Sequence, residues 1–153
     1  MPELKERLRA DLTAAMKARD ELRTRAIRMA LTSVTNEEVS GATARELTDD
    51  EVLKVLSKEA KKRKESADAF AAAGRESQAA AERAAGDVLA TYLPVQLSDE
   101  QLAQIVAEAI DETGATGMSS MGQVMKAASQ RVAGRAEGAR VAAEVRRRLS
   151  AAG

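Results

Sequence analysis

The sequence predicts an all-α protein in two parts: an N-terminal bundle of about four helices over residues 1–94, and a smaller three-helix part over residues 95–153. Three observations predict it. Apolar side chains recur three and four positions apart in successive segments, the spacing of one face of an α-helix. Two segments open on a complete capping-box pattern, Thr48-x-x-Glu51 and Ser98-x-x-Gln101. Runs of β-branched and aromatic residues with a two-residue period, the mark of a strand, are missing.

Leu4, Leu8, Leu12 and Met16 form the stripe of a first helix, with Arg7, Arg9 and Lys17 directed to water. A second stripe runs through Leu22, Ala26, Met29, Ala30 and Val34, and fades at the turn-forming Ser40-Gly41-Ala42-Thr43. Thr48 caps a third helix, with Glu51 reaching back and Leu47 stapled to Val52. Its stripe is Leu53, Leu56, Ala60, Ala67 and Phe70, and Gly74 stops it. A fourth helix from about Glu76 to Leu93 turns Ala81, Ala85, Val88, Leu89 and Tyr92 inward. It ends there because the residue before a proline, here Pro94, is steered out of the helical region.

The second part opens at Ser98, with Leu97 stapled to Leu102. Leu102, Ile105, Val106, Ala109 and Ile110 are its buried face, and Gly114 its stop. Ser119 or Ser120 caps a short helix with Met121, Val124, Met125, Ala128 and Val132 on one side, closed by Gly134. A last helix buries Val141, Val145 and Leu149.

Composition removes several functions. Cysteine and histidine are both absent from the 153 residues, so thiolate nucleophiles, imidazole bases and Cys/His zinc sites are excluded. No disulfide, membrane span or apolar leader is expected, and the cytoplasm is the expected compartment. Phe70 and Tyr92 are the only aromatic side chains, so the core is built from Leu, Val, Ile, Met and much Ala. Lys+Arg and Asp+Glu are 24 each, which denies the chain a whole-molecule basic field. The charge is uneven, however. From Thr113 to Gly153 seven basic residues face only Glu137 and Glu144, an excess of five.

Two basic clusters are candidates for phosphate contact. In the third helix, Lys61, Lys62, Arg63 and Lys64 follow Lys58, with Glu59 and Glu65 in pairing range; a solvated face is the alternative. Arg63 and Lys64 stand where an apolar residue is due, so either a stem snorkels from the core edge or the turn faces a cleft. In the second part, Arg140 and Arg147 lie seven apart on one helix face, with Lys126 and Arg131 on the helix before. Arg146, Arg147 and Arg148 equally suit a last turn, where cations complement the helix dipole. Gly117-Met-Ser-Ser-Met-Gly122 has the spacing of a phosphate loop, but Gln123 and Val124 stand where lysine and a hydroxyl residue are required. No carboxylate sits in an apolar, aromatic surround suited to acid catalysis.

Several motifs together resemble one family. Lys58-x-x-Lys61-x-Arg63-Lys64-Glu65-Ser66, then Phe70 and Gly74-Arg75, resembles the hallmark helix of the GatB/YqeY family. Tyr92-Leu93-Pro94-x-Gln96-Leu97-Ser98 resembles its linker, and Met121-Gly122-x-Val124-Met125-Lys126 with Gly134 and Gly138 its C-terminal signature. Leu8-x-x-Asp11-Leu12-x-x-Ala15-Met16-Lys17 also fits. Glu137 departs from the pattern, where relatives often carry aspartate ahead of Gly138.

The resemblance implies an all-helical fold related to the tRNA-facing C-terminal region of the B subunit of glutamine-dependent aspartyl/glutamyl-tRNA amidotransferase. The kinase-like cradle and glutaminase serines of that complex are not expected in this chain. The expected function is therefore a non-catalytic accessory module with no catalytic residue, cofactor or metal, binding tRNA or a tRNA-processing complex. Its expected contacts are Arg140, Arg147, Lys126 and Arg131, with Lys61, Lys62, Arg63 and Lys64 as the competing site. The alternatives are a helical protein–protein adaptor without RNA contact, and a carbon–nitrogen ligase using glutamine only within a larger complex.

Overall fold

A computed structural model describes residues 3–152, with the side chain of Ala152 excepted; Met1, Pro2 and Gly153, at the ends of the two expected parts, lie outside the described residues. All regular structure among the described residues is helical. The order is α1 (Glu3–Lys17), α2 (Glu21–Glu38), α3 (Asp49–Ala72), α4 (Glu76–Ala90), α5 (Asp99–Thr113), a 3₁₀ turn (Met118–Ser120), α6 (Met121–Val132) and α7 (Gly138–Ala152). The chain divides into two compact units, Met1–Leu93 and Pro94–Gly153.

The first unit packs α1 to α4 around Leu8, Ile27, Val34, Leu47, Leu56 and Leu89. The stripe drawn on α1 drifts. Four residues turn a helix about 40° past a full revolution, so a row of four residues at that spacing wanders by about 120°. Leu8 is buried and Leu12 half-buried, but Met16 is 49% exposed and Ala15 takes the inward position. The same correction applies to α2, where Leu22 is exposed and Ile27 fully buried, and to α4, where Ala81 is exposed and Ala79 buried. Phe70 and Leu53 are only half-buried.

Local signals hold closely. Thr48 Oγ1 accepts from Glu51 N at 3.3 Å, Glu51 Oε1 accepts from Thr48 N at 3.2 Å, and Leu47 and Val52 are both buried. Past α3, Gly74 adopts φ +76°, the left-handed conformation in which a side chain is strained. Helix α4 closes at Ala90 rather than Leu93. The amides of Thr91, Tyr92 and Leu93 each bond to the carbonyl three residues back, which tightens the end of the helix into 3₁₀ geometry. Lys5 is also buried, and its Nζ donates to both carboxylate oxygens of Glu38 at 2.8 Å.

The second unit buries Leu102, Val106, Val124, Val132, Val145 and Leu149 among α5, α6 and α7. Ser98 caps α5 as a complete box, with bonds of 3.1 and 3.0 Å, and Gly114 ends it at φ +66°. Ser120 stands at the cap position of α6, but its hydroxyl makes no capping bond; the preceding 3₁₀ turn leads the chain in instead. Helix α7 continues to Ala152, a full turn beyond Arg148. Arg146, Arg147 and Arg148 therefore do not form its last turn, and the dipole account of them fails. No helix among the described residues is long and apolar enough to cross a membrane.

Candidate nucleic-acid interface

Four of the six arginines of the second unit are held by the protein's own acids; Arg135 bonds to backbone carbonyls instead, and Arg146 is exposed without an ion pair among the described residues. Residues 94–153 carry seven basic and seven acidic side chains, because α5 supplies Asp99, Glu100, Glu108, Asp111 and Glu112. Three of those five reach the arginines. Arg131 on α6 lies between Glu108 and Glu112, at 3.0 and 2.8 Å. Arg140 on α7 donates to Leu97 O and Asp99 Oδ1, each at 3.0 Å. Arg147 forks onto Glu144 of its own helix, at 3.0 and 2.6 Å, and Arg148 Nε reaches the same carboxylate at 3.2 Å.

The protonation equilibria follow this geometry. The Arg147 hydrogen bond, against some burial and aided by Arg148, holds the Glu144 carboxyl below its usual range. Glu112 raises Arg131, and Glu144 raises Arg147. A phosphate binding here competes with carboxylates already in place. Lys126 differs: it is exposed and forms no ion pair among the described residues.

The lysines of α3 are arranged otherwise. Lys54, Lys58 and Lys61 fall within about 60° of one another on the outward face of the helix, with Lys62 and Lys64 on its two flanks. All five are exposed, and among the described residues only Lys62 approaches a carboxylate, Glu59 at 3.7 Å. Arg63 does not join them. Its guanidinium turns inward to Glu82 on α4 at 2.9 Å, with the side chain only 18% exposed and Nε buried without an acceptor. Glu59 is also drawn in, accepting from Ser33 Oγ on α2 at 2.6 Å. The run is thus split: its lysines face water, while Arg63 and Glu59 lie at the wall of a cleft.

That cleft is a groove of about 510 Å³ between α2 and α3, lined among others by Arg25, Arg28, Met29, Ser33, Glu59 and Arg63. Sequence reasoning did not single out Arg25 and Arg28. Their signal was Arg23-x-Arg25-x-x-Arg28, a basic cluster passed over because only the apolar stripe of that helix was read. Among the described residues no group of carboxylates could hold a metal ion.

The family model of Yqey-like proteins matches residues 5–149, from within α1 to within α7. This chain belongs to that family. No curated protein matches the sequence. In this Yqey-like chain the match runs through the α3 lysines, the Tyr92–Ser98 segment and the α6 signature alike, so both units belong to the family's pattern.

Proposed function

We propose that this Yqey-like chain is a cytoplasmic, non-catalytic accessory module that binds tRNA or a tRNA-processing complex. In this reading its four-helix and three-helix units are separate domains, and the outward lysines of α3 make the principal phosphate contacts. The observation that carries the proposal is the contrast between the two basic clusters. Lys54, Lys58, Lys61 and Lys64 are exposed and engage no carboxylate among the described residues, whereas Arg131, Arg140 and Arg147 are each held by an acid. Lysines without a partner give up little on meeting a phosphate; paired arginines must first break a charge-assisted bond. Lys126 and Arg146, both exposed and without an ion pair among the described residues, are the residues of the second unit best suited to assist.

The test is tRNA binding measured over a series of salt concentrations. A phosphate-dominated contact gives an affinity that falls linearly on a log–log scale. A second reading, the protein–protein adaptor, is favoured by the exact balance of charge within residues 94–153. Absence of tRNA binding at low salt selects it.

A further inference from the structure

Glu59 and Lys5 are the two charged side chains buried among the described residues, and Lys5 is matched in full by Glu38. Glu59 is not. Its side chain is only 9% exposed, yet one oxygen takes all its contacts: Oε1 accepts from Ser33 Oγ at 2.6 Å and lies 3.7 Å from Lys62 Nζ. Oε2 accepts no hydrogen bond among the described residues, and unlike Arg63 Nε it is not sealed away, because Glu59 lines the α2–α3 groove. A carboxylate withdrawn from water is costly unless its acceptors are filled.

The rim of the groove is cationic on balance. Arg25 and Arg28 of α2 stand along it with no carboxylate partner among the described residues, beside one exposed acid, Glu21, and Lys62 lies next to the lining residue Glu59 on α3. A cationic rim attracts phosphate, while a buried anion at the floor repels it. A ligand that suits both carries a hydrogen-bond donor beside its phosphate. In RNA the 2′-hydroxyl is that donor, and it is the group by which proteins tell RNA from DNA. An acidic side chain on a ribose hydroxyl is the solution that dinucleotide-binding folds adopt. A volume of about 510 Å³ suits a ligand of this size. No aromatic side chain lines the groove, so base stacking has no part in it.

We infer that the α2–α3 groove takes a ribonucleotide unit of a bound RNA, with Arg25 and Arg28 on its phosphates and Glu59 Oε2 accepting from the 2′-hydroxyl. Ser33 is the positioning residue that holds the carboxylate in place. The inference rests on the RNA-binding reading above and adds a discrimination that phosphate contacts alone do not supply.

The experiment uses the full chain with a tRNA transcript and its all-deoxy counterpart of the same sequence, at one salt concentration. The parent binds the RNA more tightly. Glu59→Gln keeps the shape but removes the charge that strengthens the bond to the hydroxyl, so the RNA-to-DNA affinity ratio falls about fivefold. Ser33→Ala lowers the ratio in the same direction, and it carries the test alone should Glu59→Gln fail to fold by circular dichroism. If Glu59→Gln instead raises affinity for both polymers alike, Glu59 is only a bolt between two helices and the inference is overturned. A parent that binds both polymers equally also overturns it, yet leaves the lysine face standing. A parent that binds neither removes both readings. Adenosine monophosphate competing with the same dependence on Glu59 would assign the groove to free nucleotides and overturn the RNA assignment.

Discussion

Tyr92 donates its phenolic hydroxyl to Asp11 Oδ2 on α1, 81 positions earlier in the chain. The Arg7 guanidinium lies over the same ring, 4.7 Å from its centroid. This contact fastens the last residues of the first unit to its first helix. Burial, then the bond to Asp11, pushes the Tyr92 phenol up to about 12 from an ordinary value of 10.0. The folded protein therefore holds this proton more tightly than the unfolded chain. The contribution is fully present below pH 10 and is lost as the pH rises through about 12. Chemical unfolding followed across that window shows a fall in stability, and Tyr92→Phe removes that fall. At neutral pH the same variant costs about 1 kcal/mol, the net value of one hydrogen bond.

The pair Lys5–Glu38, its lysine buried and its glutamate half-buried, contributes on the acid side. Glu38 receives Lys5 Nζ on both oxygens and also accepts from Leu47 N at 3.2 Å. The Lys5 hydrogen bond, with the Leu47 amide assisting and burial opposing, lowers the Glu38 carboxyl from its usual 4.5. A lowered carboxyl contributes stability above that usual value, and the contribution is lost as the pH falls through the depressed one. Lys5→Met strands a carboxylate and costs about 3 kcal/mol. Lys5→Met combined with Glu38→Gln, which still accepts from Leu47, recovers much of the loss. Urea midpoints against pH check both statements: the parent loses stability more steeply below pH 4.5 than the double variant, which keeps only the loss due to other lowered carboxyls such as Glu144.

What the sequence made legible was local. Both capping boxes and the glycine stops at Gly74 and Gly114 depend on residues within a turn of each other, and each is found where the pattern placed it. Contacts between distant segments were not legible. Nothing in the spacing paired Tyr92 with Asp11, Lys5 with Glu38, or Glu59 with Ser33. The pairing of the second unit's arginines was hidden for a related reason. A window opened at Thr113 left out the five acids of α5, three of which fold back onto Arg131 and Arg140. Arg63 was read as either a snorkelling stem or a cleft residue; it lines the groove and pairs with Glu82, which only the packing of α4 reveals.

At Gly86, α4 lies against α3. A Cβ added there would meet Arg63 Cβ at 3.4 Å and Ala60 O at 3.8 Å, ordinary contact distances. Gly86→Ala is therefore accommodated and gains about 1 kcal/mol of helix propensity. Gly86→Leu drives a larger group into α3, strains the Arg63–Glu82 bond, and costs about 2 kcal/mol. Thermal melting of the two variants gives shifts of opposite sign. A destabilised alanine variant would mean that the helices cannot give even the little that this contact asks.

The last prediction sets the two basic clusters against each other. Removing one phosphate contact lowers the log–log salt slope of tRNA binding by about 0.7 to 0.9. Lys58→Gln, Lys61→Gln and Lys64→Gln together should lower it by about 2 to 3 and weaken binding for every tRNA alike, since such contacts carry no sequence information. These side chains are exposed and make no ion pair among the described residues, so the melting temperature stays put. Arg140→Ala with Arg147→Ala should behave in the reverse way. Arg140 straps α7 to Leu97 O and Asp99, so its loss lowers the stability of the second unit by about 1 kcal/mol while the salt slope barely changes. If instead the arginine variant flattens the slope and the lysine variant leaves it intact, Asp99 and Glu144 yield their arginines to phosphate. The interface then lies on α7.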